Sequence, residues 1–541
     1  LVAESRTSWT LEDAQLYWGI WLYALLLYGQ YADSTLWQLP QLALYAEAAF
    51  QLLAPFGAVA PFGDTRNPGE TAAEFIALFE WAAARWRYPH YRWAARRLFE
   101  RWVLPQRPLP PYRALILWDA ARWADTTLEP LPPSQTSRLW CSEDAIVKKL
   151  VFRTGWDSLD TYLMLTYRES PPYGWRARQF LHQSLPIEEE KGSHGHSDEL
   201  SLEWFLHRGA LLLTPPGYRE GVPSGPYGAY RAEYFHNRLV VRPARPDAGQ
   251  SLWEFLRHAG THRPAETTKL DAWEFHPLSY ARLRLQHSSD GYRWERLVLV
   301  LHDPLQLLVA DIVELLREGP FTAVQLWHGT AVVHAEKNRC VLSTDAFPSL
   351  AGDTSWVLAI LALERPGQRD TLFPLRRAGR NGVTYARWQT GYYRAGERLL
   401  FLTRLVPVQC TTCCAGLGRD SVAFSSDSRG FALRLRQDTS LWFFLLQWDP
   451  LGGGIGDGRR PQYDSTARTL ALEGLRSDAD FAFVRQTPAA LHYGLTYGTF
   501  LSVGSRTLFQ APPGFFPLQL DGSPPRIAPL QWRAWEETLS P

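Results

Sequence analysis

Apolar residues recur with a helical period through the first quarter of the chain, then switch towards a period of two. The first helical run spans 11–28, and Thr10 with Asp13 three residues on resembles a capping box at its start. Asn67-Pro68 followed by Glu70 reads as a second start, with Pro68 at the first helical position before A-E-F-I-A-L-F-E-W-A-A-A-R-W. Further helices fit 39–53, 91–104 and 112–124, with short polar or Pro-rich connections between them. That is the rhythm of antiparallel helix pairs, and it points to a helical toroid or an arc of one.

The Pro-rich stretch L-E-P-L-P-P-S-Q-T-S (128–137) ends this pattern and reads as a boundary. Beyond it, 297–301 and 305–309 form a strand, turn and strand around His302-Asp303-Pro304. F-A-L-R-L-R (431–436) alternates like a half-buried strand, and 441–447 is a buried run that stops at Asp449-Pro450. The expected fold class is therefore α+β and multidomain: an N-terminal (α/α) toroid part, or an arc of one, over 1–130, followed by a large antiparallel β-sandwich region. A central sandwich is expected over 138–400, with a C-terminal strand region over 401–541 completing or extending it.

Composition narrows the partners. With a net charge of +1, no global field draws the chain to nucleic acid or an anionic membrane, so an acidic ligand must be met by local groups. The run 16–28 is too short to span a bilayer and contains Gly19, so no membrane span is expected. Of 56 basic residues 51 are arginine and five lysine, and there are 24 tryptophans; guanidinium groups and indoles together suit carboxylates and sugar faces. Cys410, Cys413 and Cys414 form C-x-x-C-C without a nearby fourth zinc ligand and read as a turn with buried thiols. G-G-G-I-G-D-G (452–458) lacks the lysine and the following helix of a phosphate loop and reads as a connection between strands. No leader is legible, and the chain opens with Leu directly on a helix start, so residues upstream are expected.

The densest chemistry lies in K-G-S-H-G-H-S-D (191–198), joined forty residues later by R-A-E-Y-F-H-N (231–237). Three histidines at such spacing could be ordinary hydrogen-bonded core or surface residues, acid–base groups or ligands. The longer run K-G-S-H-G-H-S-D-E-L-S-L-E-W-F-L-H-R-G-A-L-L-L-T-P-P-G-Y resembles the heparinase II/III-like family, with its Gly-His-Asp turn and two strands. R-A-E-Y-F-H-N-R-L-V-V, R-L-V-L-V-L-H-D-P-L-Q-L-L-V-A-D-I-V-E, L-E-D-A-Q-L-Y-W-G-I-W-L and P-F-G-D resemble further parts of that family, in the same order.

The resemblance implies a polysaccharide lyase that cleaves a uronic-acid glycan by β-elimination in a cleft between helices and strands. Such a reaction removes the proton on C5, expels the 4-linked sugar and requires the neighbouring carboxylate to be neutralised. Carried over by position, Tyr17 is the acid–base group and His194 its partner from the strand side. His196 and His236 fall where the family places metal ligands, which implies a divalent ion, zinc or calcium. Arg231 is placed either to grip a substrate carboxylate or to form an internal ion pair, Asn237 to contact substrate or hold its strand edge, and Glu12 at an acidic substrate-side position. Asp13, four residues before Tyr17, could touch it along the helix.

Three departures qualify this. Thr214 stands where the family has an acidic ligand before Pro-Gly, which weakens the metal expectation; Asp198 could substitute or could cap backbone amides. The helix carrying the family's carboxylate-neutralising residue would lie upstream of the sequence. Trp18 replaces a histidine. The alternative is thus a catalytically degraded glycan-binding or polysaccharide-assembly protein on the same fold. Either reading takes an acidic polysaccharide as partner and a periplasmic or secreted location over a cytoplasmic one.

Overall fold

The computed structural model describes residues 15–63, 65, 68–106, 108–134, 138–141, 149–167, 196–217, 232–258, 265–343, 355–377, 380–409, 421–437, 439–451, 468–511 and 534–539. The α+β class holds, with helices first and antiparallel sheets after. The helices are α1 (Gln15–Tyr31), α2 (Pro40–Gln51), α3 (Ala72–Trp86), α4 (Pro89–Leu98) and α5 (Pro111–Trp123). α3 is the hub, packing against α1, α4 and α5.

Three of the five begin with proline in the first turn, where its missing N–H costs nothing. Pro68 is not one of them. It lies in a turn, and α3 starts at Ala72 after Thr71, so the expected second start moves downstream. The helix expected to run to 104 instead widens into a π-type turn over Phe99–Val103. There the Trp102 indole is drawn to the Gly57 carbonyl at 2.7 Å. The first turn of α1 is held from outside: Gln15 N donates to the Phe62 carbonyl at 3.0 Å and Leu16 N to Thr65 Oγ1 at 3.2 Å. Thr10 and Asp13, the expected cap, and the C-x-x-C-C and glycine-rich segments lie outside the described residues.

Two compact units result. The first comprises Leu1–Thr268, Leu283–Leu297 and Leu305–Thr411, so the change from helices to strands near 130–138 is a change of secondary structure within one unit. Its cause is a shared core. Val151, Tyr162, Met164, Trp204 and Leu206 from the first sheet bury with the helical residues in one apolar cluster. That sheet runs in chain order through Leu139–Cys141, Lys149–Arg153, Tyr162–Thr166, Leu202–His207 and Ala210–Leu213. Its last hairpin turns at Arg208 and Gly209, with φ of 48° and 78°; two positive φ values are what a two-residue hairpin turn of type I′ requires. A four-stranded sheet follows, ordered Arg369–Arg377, Arg380–Tyr393, Gly319–Gly329, Leu239–Arg242. The eight-stranded sheet contains Tyr292–His302 beside Leu305–Leu315, the expected strand, turn and strand.

The second unit comprises Lys269–Arg282, Val298–Pro304 and Thr412–Pro541. A six-stranded and a four-stranded antiparallel sheet lie in it, around Ala432, Leu445, Leu470, Leu475, Val484 and Leu501. Gly430–Gln437 alternates as expected, with Arg434 and Arg436 outward.

Two stability predictions follow from this packing. A Cβ on Gly29 of α1 would stand 2.1 Å from Trp37 Nε1, and that indole is pinned by its bond to the Leu26 carbonyl and by edge contacts with Trp81 and Trp123. Gly29→Ala gains about 1 kcal/mol of helix propensity but overpacks a rigid site at a cost of about 1–3 kcal/mol. A lower urea midpoint is expected, and an unchanged or higher one would count against this packing. The second concerns His207, whose Nδ1 is bonded to Thr161 Oγ1 and whose ring meets Trp356 edge-on at 4.7 Å. Burial, then the Arg208 charge, pushes its pKa down to about 4. The unfolded chain takes up this proton near pH 6.5 and the folded one only near 4. Stability should therefore fall as the pH drops through that window, and His207→Gln should flatten the slope of urea midpoint against pH there.

Candidate active site

Strand Leu202–His207 is buried along nearly its whole length and carries Glu203 into the interior. The short 3-10 turn Glu233–Phe235 ends at His236 in extended geometry, just before strand Leu239–Arg242. These elements bring three side chains into line. His236 Nδ1 lies 2.8 Å from Glu203 Oε1, and His236 Nε2 lies 3.3 Å from His196 Nδ1. The two rings meet edge to face at 5.3 Å, and all three residues are 1% exposed. Burial alone would push the Glu203 carboxyl up, but the charge and hydrogen bond of His236 outweigh it and hold it below the usual range. Glu203 is thus an acceptor, so His236 Nδ1 carries the proton that binds it.

The backbone around the pair is held just as firmly. His328 Nε2 donates to the His236 carbonyl at 3.0 Å, and His328 Nδ1 meets Thr384 Oγ1 at 2.9 Å. Arg238 donates to the Ser197 carbonyl and to Glu199 Oε2, at 2.7 and 2.8 Å.

On the helical side, the Phe62 ring covers the buried ammonium of Lys149 at 4.5 Å. Lys149 Nζ donates to Thr166 Oγ1 at 2.9 Å and lies 3.7 Å from Asp198 Oδ2. Phe62 also supplies the carbonyl that receives the first N–H of α1. A chain of contacts therefore runs from the start of α1, through Phe62 and Lys149, to Asp198, two residues past His196. Tyr17 sits half-buried on the first turn of α1.

Of the residues singled out in the sequence, the structure brings His196 and His236 together; Tyr17 lies on the first turn of α1, two residues past the Gln15 N–H that meets Phe62. Asn237 is fully buried: its Nδ2 donates to the Leu202 and Thr214 carbonyls, and its Oδ1 accepts from His328 N. That is the strand-holding alternative, so Asn237 is not carried forward as a substrate contact. Trp18 is buried between Phe62 and Phe75, a core aromatic. Glu12, Asp13, His194 and Arg231 lie outside the described residues.

Sequence reasoning missed Glu203, Lys149 and His328. A glutamate inside the apolar run L-E-W-F-L was a signal for the first, and a lysine in an arginine-dominated chain for the second. His328 left no such mark.

The fit to a metal can be tested on the donor set. Two zinc ligands about 2.0–2.1 Å from an ion would stand roughly 3.3 Å apart, and the two imidazole nitrogens do. A third ligand is missing: among the described residues no group of three or more His, Cys, Asp or Glu side chains could hold a metal ion. Thr214 offers its carbonyl to Asn237. The described residues thus supply two nitrogens of a donor set and no third, and those two stand within hydrogen-bonding distance of each other.

No protein-family profile matches this chain, and no curated protein matches it. Solved structures with a similar arrangement include a heparinase III, at 12% identity and a TM-score of 0.46, over 73% of this chain and 50% of that one. The chain thus spans about half the length of that structure. A heparan sulfate lyase from Pedobacter heparinus is 12% identical with a TM-score of 0.44, over 80% of this chain and 66% of its own. A chondroitin AC lyase from Streptomyces coelicolor A3 is 12% identical with a TM-score of 0.41, over 90% and 63% respectively. At these values the likeness is one of architecture, and no residue role is taken from those proteins.

Proposed function

We propose that the chain is a polysaccharide lyase acting on a uronic-acid glycan by β-elimination, with Tyr17 as the acid–base group at the leaving oxygen. The observation that carries this reading is the chain of contacts from the first turn of α1 through Phe62 and Lys149 to Asp198, which ties the helix of the tyrosine to the segment that follows His196. The reaction breaks the C5–H bond, and the freed electron pair forms the C4–C5 double bond as the C4–O bond breaks. One group takes the C5 proton and another gives a proton to the departing oxygen. His194 is the proposed partner of Tyr17. Arg231 and Glu12 are proposed on the glycan side, where a guanidinium suits a carboxylate.

His196 and His236 do not touch the sugar in this reading, because both are buried. Their role is support: Glu203 fixes the protonated nitrogen of His236, and His236 in turn orients His196. No step is routed through a metal. An acidic glycan lies outside the cell membrane, so export is part of the proposal; no described helix is long and apolar enough to cross a membrane.

Tyr17→Phe keeps the ring and removes the phenol. Loss of general acid–base catalysis should lower the rate of unsaturated-uronate formation by about 10²–10⁴-fold, with an unaltered urea midpoint. The measurement is the absorbance of the conjugated product across heparan, alginate, hyaluronan and bacterial exopolysaccharides. A variant as active as the wild type removes Tyr17 from the mechanism. Wild-type chain that is retained on a glycan column yet yields no unsaturated product establishes the glycan-binding alternative.

A further inference from the structure

Arg296 is fully buried on strand Tyr292–His302, away from any position that could meet a sugar. Its Nε and Nη2 donate to the two oxygens of Asp311, at 2.7 and 2.8 Å, a bidentate pair. The same guanidinium lies over the rings of Trp294 and Trp327, at 5.1 and 5.6 Å. Asp311 is fixed in turn, accepting from Trp294 Nε1 and from Gln325 Nε2, and Gln325 accepts from Thr403 Oγ1 at 2.6 Å.

What remains of the guanidinium is Nη1, and it does one thing. It donates to the Leu200 carbonyl and to the Asn237 carbonyl, both at 2.8 Å. Leu200 follows His196 by four residues, and Asn237 follows His236 by one. One nitrogen thus staples the two backbone segments whose imidazoles face each other at 3.3 Å. Leu200 also has φ of 57°, a left-handed conformation that a branched side chain adopts only when its surroundings hold it there. The bond from Nη1 to its carbonyl is a holding contact of that kind.

We propose that Arg296 is a positioning residue of the candidate site, setting the spacing of His196 and His236 through the Leu200 and Asn237 carbonyls. Lysine cannot replace it, because an ammonium lacks the planar fork that grips Asp311 while leaving one nitrogen for both carbonyls. The catalytic consequence rests on the lyase reading; the positioning itself does not.

The test compares R296K with R387K in the full chain. Arg387 is a control of like burial, with donors engaged by Gln368, Asn338, Asp370 and the Leu363 carbonyl, none of them part of the histidine pair. Both variants should lower the urea midpoint. Only R296K should shift or abolish the low-field imidazole N–H resonance that His236 owes to Glu203, assigned by its loss in H236Q. Only R296K should lower kcat, on the order of 10²-fold, with KM little changed. A folded R296K with an unmoved resonance overturns the proposal, as does an equal shift in R387K. If R296K does not fold, T403V loosens Gln325 behind Asp311 and should move the same resonance; no movement there also overturns it. If the wild-type chain makes no unsaturated product, the lyase reading fails, and the resonance still decides the role of Arg296.

Discussion

Strand Leu202–His207 carries the constraint on which the rest depends, because it is buried on both faces. Neighbouring residues of a strand point to opposite sides. Trp204 enters the apolar core shared with the helices and stacks on Phe56 at 5.8 Å and 9°, while Glu203 accepts from His236. A slip of one residue would exchange them, setting a carboxylate against the helical core and an indole against the imidazoles. The register of one short strand therefore decides both how helices and sheet join and where the imidazole pair can form. Polar stitches fix the join laterally: Tyr162 donates to the Leu52 carbonyl at 3.1 Å, and Arg153 binds Gln51 through side chain and backbone.

Around this strand the interior is unusually charged. Arg296 with Asp311, Arg238 with Glu199, Lys149 with Asp198 and Glu203 with His236 are all withdrawn from water. Buried ion pairs return little net stability, since desolvation consumes most of the attraction, but removing one partner leaves an uncompensated charge. Such pairs specify geometry more than they add stability. All four engage the backbone or side chains from 197 to 203, so rigidity is concentrated where the chain turns from His196 into the strand.

Local signals made much of this legible. Apolar spacing located the helices to within a few residues, because it acts over one or two turns; the prolines that open three of them, Pro40, Pro89 and Pro111, were a start signal left unread. Where a distant partner decided the outcome, the pattern failed. Trp102 reaches across to Gly57 and widens the end of the fourth helix, and Pro68 yields the helix start to Thr71 and Ala72. The meeting of His196 with His236 followed from motif order, whereas Glu203 and His328 became partners only through strand pairing. Sequence spacing carries no record of that pairing. Lys149 was visible as a rarity without a stated role.

The burial of the imidazole pair also separates two kinds of residue that a motif runs together. Groups that are 1% exposed cannot exchange protons with a sugar ring, so the role open to them is to hold the backbone around them. In the proposed lyase reading chemistry falls to side chains that reach solvent, and Tyr17, on the first turn of α1, is half-buried. Beside it in the helix, Trp18 fills the core against Phe75. In that reading a substitution at the exposed end removes cleavage while the stapled interior keeps its geometry, so a binding protein and a lyase on this framework would differ by very few side chains.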